Sequence, residues 1–307
     1  MQIMKDAEYN ALIKLRSFLD ATEPVLVKFL YRLWENQQDA ITYKEIRESI
    51  LRGDLSPDLL EEWQQDYSRF VTTIYLPMME DAIRAGADSI VLKPGHKLIY
   101  DFNFDADGVK SWTATRAAQF VTNCTNDQIE AVRTVVRRAM SMTDQMTVDE
   151  LSRVIRPTVG LTKPQATANL NYYNALRESG VSEKKAQEKA MTYAARQHRQ
   201  RGYTIARTET AFAYNQGALE GTKQAIEQGL APATMKKKWC TALDERVCDI
   251  CGKLDGVTVG IDEEFPLPGN TKIKIAPPAH PNCRCTVLYV EEETDYDEDF
   301  PSRIHNE

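Results

Sequence analysis

The sequence predicts an α+β fold that is predominantly α-helical, with a small C-terminal β-rich zinc-stapled module. Over most of the first 235 residues, apolar side chains recur at steps of three and four, the period of a helix that buries one face. From Lys236 onward, short β-favouring segments alternate with turns rich in Gly, Pro and Asp. Five of the six cysteines lie between Cys240 and Cys285, inside this second part. The stretch from Asp244 to Cys285 has too few apolar residues for a core of its own, so a bound metal would supply stability.

These changes of pattern divide the chain into four regions. Residues 1–110 form an N-terminal helical region with a short β hairpin, and residues 111–235 form a helical domain. Residues 236–290 form the Cys/His β-rich module, and residues 291–307 form an acidic tail. The tail is expected to be solvated or, alternatively, to contact a basic partner.

Charge and hydropathy exclude several classes of protein. The net charge of the chain is −7, and positions 291 to 299 hold seven acidic residues and no basic one, so the rest is neutral. A nucleic-acid binder would normally show a basic domain. The sequence has no apolar run that could span a bilayer and no start typical of a signal peptide, so we expect a cytoplasmic protein. In that reducing compartment clustered cysteines bind metal more often than they form disulfides, although buried or paired cysteines are the alternative.

The N-terminal region is expected to be helical. Asp54 or Ser56 is expected to cap a helix over residues 57–85. Farther along, β-favouring residues flank the turn pair Pro94-Gly95, which predicts a hairpin, or alternatively two short extended segments, within residues 89–104.

In the helical domain, polar cap residues mark the expected helix starts: Thr125 or Asn126, Thr147, Thr162 and Ser182. Thr147 is followed at the third position by Glu150, which predicts a capping box.

The helix that begins at Ser182 is expected to end near Gly202. Its last turns carry Arg196, Arg199 and Arg201, and cations near a helix C-terminus interact favourably with the helix dipole. The dipole explains these arginines at least as well as contact with nucleic acid does. A separate helix is expected to follow, over residues 203–228.

Two half-sites in the module predict one structural Zn²⁺ ion. The candidate ligands are Cys248, Cys251, His280, Cys283 and Cys285. The first two form a C-x-x-C pair and the last three a second cluster, which is how structural zinc sites are built. Five candidates compete for four positions, so one is expected not to bind. Four protein ligands leave no open position for water, which favours a structural ion over a catalytic one.

The helix over residues 203–228 is predicted to dock onto the module. Arg207 and Asn215 lie on one stripe of this helix, and buried polar groups need partners, which acidic residues of the module such as Asp244 would supply. Arg207 and Glu209 face different sides of the helix, which argues against a shared catalytic role. We therefore interpret Arg207 as a docking residue that reaches Asp244 or a neighbouring acid.

The residues give little support to an enzyme. The HPN sequence at His280 loosely suggests a zinc-dependent HNH-like nuclease, but such a site needs further metal-binding or catalytic side chains. The only other histidines are His96, His198 and His305, none of them near the module in sequence. Nucleotide-binding loops and serine nucleophile motifs are also absent from the sequence.

Three stretches together resemble the phage Mu protein F-like family, the minor head proteins of tailed bacteriophages. They are ARTETAFAYNQG at 206–217, KKWCTALDERVCDICGKLDG at 237–256 and PPAHPNCRC at 277–285. The resemblance covers roughly residues 147–290. In addition to the Cys/His residues, the matching positions include Arg207, Glu209, Asn215, Asp244 and Arg246.

The resemblance implies a protein of head morphogenesis that has no turnover of its own. Its implied partners are the portal and the major capsid or scaffolding proteins, with non-specific contact with packaged DNA as a further expectation. Its implied location is the virion, in the head interior or near the portal, and the host cytoplasm during assembly. A role in DNA packaging or ejection is also implied. The alternatives are the HNH-like nuclease and a zinc-stapled DNA-binding module.

Overall fold

The computed structural model describes residues 2–91, 100–141, 147–242, 244–266 and 273–291. Within them the chain is mostly helical and carries a small antiparallel sheet near its end, which confirms the predominantly helical α+β fold. The turn of the predicted hairpin at Pro94-Gly95 and the acidic tail beyond Glu291 lie outside the described residues. The boundaries of the four regions stay a prediction. No helix in the described ranges is both long and apolar enough to span a membrane.

The helices occupy most of the chain. Their bounds are α1 Gln2–Ala40, α2 Tyr43–Arg52, α3 Pro57–Phe70, α4 Leu76–Ala87, α5 Asp107–Met140, α6 Val148–Ile155, α7 Lys163–Glu178, α8 Glu183–Glu227 and α9 Asp249–Leu254. A π-helical turn, Val71–Tyr75, connects α3 to α4. The strands are β1 Lys236–Cys240, β2 Thr258–Gly260, β3 Phe265–Pro266, β4 Ile273–Lys274 and β5 Thr286–Val290.

Polar caps begin α3 and α6 where the sequence predicts them. The Ser56 hydroxyl accepts a hydrogen bond from the Leu59 N–H at 3.3 Å, at the start of α3. The Thr147 hydroxyl accepts one from the Glu150 N–H at 3.1 Å, at the start of α6. The Glu150 carboxylate accepts a hydrogen bond from the buried Tyr173 hydroxyl. The structure therefore shows the Thr147 half of the predicted capping box, with the glutamate engaged on α7.

One expected helix start is wrong. α5 runs unbroken from Asp107 past Thr125 and Asn126. Phe120 on one side of this point and Val132 on the other are both buried, in two different apolar clusters. Continuing the helix keeps both side chains in the core, and tertiary packing of this kind overrides the capping preference of a polar residue.

The expected helix end near Gly202 is also wrong. α8 continues for 25 residues beyond it, to Glu227, so the two predicted helices are one. Ala194 before Gly202 and Ala206 after it are buried in two different clusters, which the unbroken helix joins. Arg201 is buried, where it donates to the Gly160 carbonyl and pairs with Asp127. The dipole explanation of Arg196 and Arg199 therefore fails, because dipole effects are confined to the last turn of a helix.

The helices α4 and α8 cross at very short range. A Cβ added at Gly217 would lie 1.9 Å from the Ile83 carbonyl oxygen, and one added at Gly86 would lie 1.9 Å from the Tyr214 carbonyl oxygen. The two backbones are therefore in direct contact at this crossing. Only glycine allows this approach, so these two positions fix the distance between the helices.

The β-rich module packs on the C-terminal part of α8. Its central strand β1 pairs antiparallel with β2 on one side and β5 on the other. Trp239 of β1 is fully buried and meets Phe265 edge-on, with ring centroids 5.1 Å apart. Ala218 and Leu219 of α8 belong to the same apolar cluster. The core under the sheet is thus shared with α8.

The helix crossing yields a stability prediction. We expect Gly217→Ala to destabilise the protein by about 1–3 kcal/mol, because the added methyl group forces α8 away from the Ile83 carbonyl. Chemical denaturation followed by circular dichroism measures this change.

The matched control is Gly252→Ala in α9, where the nearest atom to an added Cβ is Val247 Cγ1 at 3.9 Å. An alanine there meets ordinary van der Waals contact, so stability should stay within about 0.5 kcal/mol or rise. Equal losses in the two variants would contradict the close-contact account.

Candidate metal centre

The first half-site lies at the start of α9. Cys248 is the N-cap of this helix, and its sulfur accepts a hydrogen bond from the Cys251 N–H at 3.4 Å. The C-x-x-C spacing thus occupies the first helical turn, with one cysteine at the cap and the other one turn later. Both sulfurs therefore face the same side.

The second half-site lies in the loop before β5. The Cys283 N–H donates to the His280 carbonyl at 3.2 Å, and Asn282 between them adopts a positive φ of 61°. The His280 Nδ1 atom lies 2.8 Å from the Pro281 carbonyl oxygen. A proton on Nδ1 satisfies this contact, which leaves Nε2 as the nitrogen that faces the cysteines.

The structure brings all five predicted ligands together. The His280 Nε2 atom lies 3.1 Å from the Cys248 sulfur and 3.3 Å from the Cys251 sulfur. The Cys251 and Cys283 sulfurs are 3.7 Å apart. Two groups of ligand atoms, each within 4.8 Å of one another, share Cys251: one adds Cys248 and His280, the other Cys283 and Cys285. The cluster can therefore hold a metal ion, with Cys251 common to either set of ligands.

Electrostatics in the cluster favour a cation. The sulfurs of Cys251 and Cys283 share a hydrogen bond, which raises the pKa of Cys251 and lowers the pKa of Cys283. Two adjacent buried thiolates repel each other, so loss of both protons is unfavourable unless a cation lies between the sulfurs. Burial opposes the charged form of His280, but the Pro281 carbonyl and the Cys283 and Cys248 sulfurs raise its pKa overall. Bound metal would take the place of these protons, since it is the thiolate and the neutral imidazole that coordinate.

The predicted partner of Arg207 is wrong. Its guanidinium donates two hydrogen bonds of 2.8 Å to the carboxylate of Glu23 on α1, and Asp244 is engaged elsewhere. The cause is the direction of the side chain: the stripe that carries Arg207 faces α1 at this level of α8. Glu23 is only 3% exposed, so this pair docks two helices and not the helix to the module.

Glu209 faces a different helix again. Its carboxylate accepts two hydrogen bonds from Arg116 of α5, at 2.8 and 2.7 Å, and one from the Tyr75 hydroxyl at 2.7 Å. Burial and the Glu209 charge raise the pKa of Tyr75, so this hydroxyl stays protonated and donates. Glu209 is therefore a structural residue of the helical body.

Asn215 does contact the module. Its Oδ1 atom accepts a hydrogen bond from the Thr286 hydroxyl of β5 at 3.0 Å, while its Nδ2 atom donates to the Ala211 carbonyl. In a second contact, the Asn282 N–H donates to the Thr208 hydroxyl of α8 at 3.1 Å. Asn282 lies between His280 and Cys283 of the second half-site. The predicted docking of α8 onto the module is thus carried by uncharged side chains and by one ion pair near the surface, Lys223 with Asp262 at 2.8 Å.

Asp244 holds the two halves of the module together. It accepts two hydrogen bonds of 2.7 Å from Arg284, which lies between two of the cluster cysteines. Arg16 of α1 lies 3.5 Å from the same carboxylate. Hydrogen bonding to Arg284 lowers the pKa of Asp244 to about 2. Arg246 is mostly exposed and its guanidinium lies 3.9 Å from Asp244, so its contribution is small.

Sequence reasoning missed the partners on the earlier helices, Glu23, Arg16 and Arg116. A signal for the first was present, because Glu23 falls between Leu19 and Leu26 on the apolar stripe of α1. A charged residue on such a stripe indicates a buried partner. No comparable pattern marks Arg16 or Arg116.

A family-model comparison matches the part of the chain that holds this cluster. The family model described as Phage Mu protein F like protein matches residues 130–288. A curated protein, the NAD(+)–arginine ADP-ribosyltransferase EFV of Enterococcus faecalis, is 32% identical over 90 residues. Those residues cover 28% of this chain and 18% of that protein, so the chain spans less than a fifth of the relative's length. No solved structure matches the chain.

The Arg207–Glu23 pair yields the next prediction. Arg207→Ala leaves the Glu23 carboxylate buried without a cation, which should cost about 2 kcal/mol of unfolding free energy. Adding Glu23→Gln to this variant should recover part of the loss, because a neutral amide is less costly to bury than a charge. Denaturant titration of the single and double variants measures both effects.

The control is Arg246→Ala, which removes an exposed arginine and changes the net charge by the same amount. It should change the unfolding free energy by less than about 0.5 kcal/mol. Full stability of the Arg207→Ala protein would show that the pair has no structural role.

The cluster itself yields a metal prediction. Cys251→Ser should abolish metal binding, because Cys251 belongs to both groups of ligand atoms. Cys240→Ser, in the same module, should keep the metal, because Cys240 belongs to neither group of ligand atoms. Elemental analysis by mass spectrometry of freshly purified, reduced protein measures the bound metal. A wild-type protein without metal, or equal metal in both variants, would contradict the assignment.

Proposed function

The chain belongs to the Phage Mu protein F like family, and from this membership we propose that it is a minor head protein of a tailed bacteriophage that acts in head morphogenesis. The observation that carries the proposal is the extent of the match. It includes all five cluster residues and the whole of α8, the helix onto which the module docks. The match therefore covers the module together with the helix that supports it, and not an isolated motif.

The proposed resident metal is one structural Zn²⁺ ion. Cysteine sulfur and histidine nitrogen are the ligands of structural zinc sites. A tetrahedral zinc ion bound at about 2.3 Å by two sulfurs holds them about 3.8 Å apart. The 3.7 Å between the Cys251 and Cys283 sulfurs fits this value. Cys248 and His280 would complete a set of four, and Cys285 is the alternative ligand. When bound, the ion would cross-link α9 to the loop before β5.

The proposed role involves no catalysis. Four protein ligands would leave the ion no open position for a reacting water. Of the histidines that the structure describes, His198 lies in the helical body, 2.8 Å from both the Val159 and the Ala194 carbonyl oxygens. It packs against Trp34 and is not part of the cluster. The activity named for the curated relative belongs to a protein of which the chain covers 18%, and it is not part of this proposal.

The proposed partners are the portal and the major capsid or scaffolding proteins, and the proposed place is the virion head interior or the vicinity of the portal. Family membership supports virion association in general. Assistance in DNA packaging or ejection is the finer part of the proposal. Two alternative assignments make different predictions. A zinc-dependent HNH-like nuclease would cleave plasmid DNA. A zinc-stapled DNA-binding module would bind DNA through the module, with an affinity that depends on salt.

The test is incorporation into particles. Procapsids and mature heads assembled with the wild-type protein should contain it, and portal and capsid proteins should co-purify with it from infected cells. With Cys251→Ser, incorporation should fall because the module, which carries two of the three family motifs, loses its cross-link, whereas Cys240→Ser should leave incorporation unchanged.

Quantitative mass spectrometry of purified particles measures this outcome. Normal, fully infectious heads that lack the protein would refute the proposed role. Metal-dependent cleavage of plasmid DNA by the wild-type protein, lost in Cys251→Ser, would support the nuclease in its place.

A further inference from the structure

A basic groove with an aromatic floor runs between α7 and the N-terminal part of α8, outside the metal centre. It has a volume of about 380 Å³. Tyr172 of α7 and Tyr193 of α8 meet edge-on in it, with ring centroids 5.2 Å apart. Lys185, Lys189 and Arg196 of α8 also line it.

The three cations form one row. They follow one another at steps of four and seven residues, which places them on one face of the helix. At 1.5 Å per residue, the row is about 16 Å long. All three side chains are exposed. Glu188 is the one acidic residue that lines the groove, so positive charge prevails.

These cations lack the partners that neighbouring ones have. Arg153 pairs with Glu183 at 3.2 Å, and Lys163 pairs with Glu130 at 2.8 Å. Within the part of the chain that the structure describes, no carboxylate pairs with any of the three cations of the row. Nor does the helix dipole explain them, because α8 ends 31 residues after Arg196, at Glu227. Three like charges on one face with no paired carboxylate leave a positive surface that suits an external polyanion.

The aromatic pair indicates which polyanion. Tyr172 is 39% exposed, and a π face at the edge of a basic row is the arrangement by which proteins stack the bases of single strands. In a duplex the base faces are covered by their neighbours, and an acidic protein surface offers no bases. We propose that this groove binds a single strand of nucleic acid, with its phosphates on Lys185, Lys189 and Arg196 and a base on Tyr172. The proposal goes beyond the head role and does not depend on it.

Fluorescence anisotropy tests the proposal with the full-length protein and a labelled oligo(dT). The first variant is Lys185→Gln/Lys189→Gln/Arg196→Gln. Its control, Lys28→Gln/Arg32→Gln/Lys253→Gln, makes the same change of charge at other exposed positions. The groove variant should bind at least about tenfold more weakly, and the slope of log affinity against log salt should become shallower by about 2, since each single-strand phosphate contact contributes about 0.7. The control variant should keep the wild-type slope.

A second pair of variants tests the base. Tyr172→Leu keeps an apolar side chain against Tyr193 and removes the π face, so affinity for the single strand should fall about fivefold or more at an unchanged salt slope. Tyr203→Leu, at another exposed tyrosine of α8, should have no effect. Circular dichroism confirms that each variant is folded.

Several results would overturn the proposal. They are an absence of salt-dependent binding at low salt, equal losses in the groove and control variants, and a duplex that binds as tightly as the single strand. Binding that appears only after residues 291–307 are removed, with no effect of the groove variant, would likewise overturn it. Retention of particle incorporation by the groove variant would leave the head role intact, so the two proposals can fail separately.

Discussion

The direct backbone contact between α4 and α8 is the constraint on which the rest of the structure depends. Gly86 and Gly217 let the two helices touch, and this contact fixes the position of a helix of 45 residues. Other elements then meet α8 at defined levels. Its first half packs with α7 on the side of the basic groove, Arg207 pairs with Glu23 of α1 farther along, and the C-terminal part shares its core with the β-rich module. A long rigid helix therefore aligns regions that are distant in sequence.

The module depends on this helix and on its own cluster at once. Its short strands bury few apolar side chains, so Trp239 and its neighbours complete their core with Ala218 and Leu219 of α8. Polar contacts such as Thr286 to Asn215 orient the module on the helix without burying a charge. Inside the module, the cluster and the Asp244–Arg284 pair connect the two half-sites. A metal cross-link is most valuable in such a unit, where the apolar core is small.

The proximity of the five cluster residues could be predicted from the sequence, and the pairing of side chains between helices could not. Cys and His at C-x-x-C and H-x-x-C-x-C spacing identify their partners by ligand type, so all five predicted residues lie together. The β-rich character of residues 236–290 could also be predicted from their β-favouring segments, and the structure has strands there such as Thr286–Val290. The zinc identity stays a proposal, because the same ligand set fits more than one metal.

Pairs of side chains that are distant in sequence are harder to predict. Arg207 was predicted to reach Asp244, but several acids could serve an arginine, and only the rotation of α8 selects Glu23. The same limit applies to helix ends. Thr125 and Gly202 are typical of boundaries, yet the helices continue because buried residues on both sides bind them into the core. Local preferences of about 1 kcal/mol do not decide such cases.

Hydrogen–deuterium exchange with and without a strong chelator tests most directly the claim that a bound metal keeps the module folded on α8. The account predicts that removal of the metal increases exchange throughout residues 236–266 and 273–290 and at the α8 residues beneath them, such as Thr208 and Asn215. The amides of α7 and of α8 before Gly202 should stay as protected as before, because their core does not involve the cluster. Unchanged exchange in the module, or an equal increase along the whole of α8, would contradict the claim.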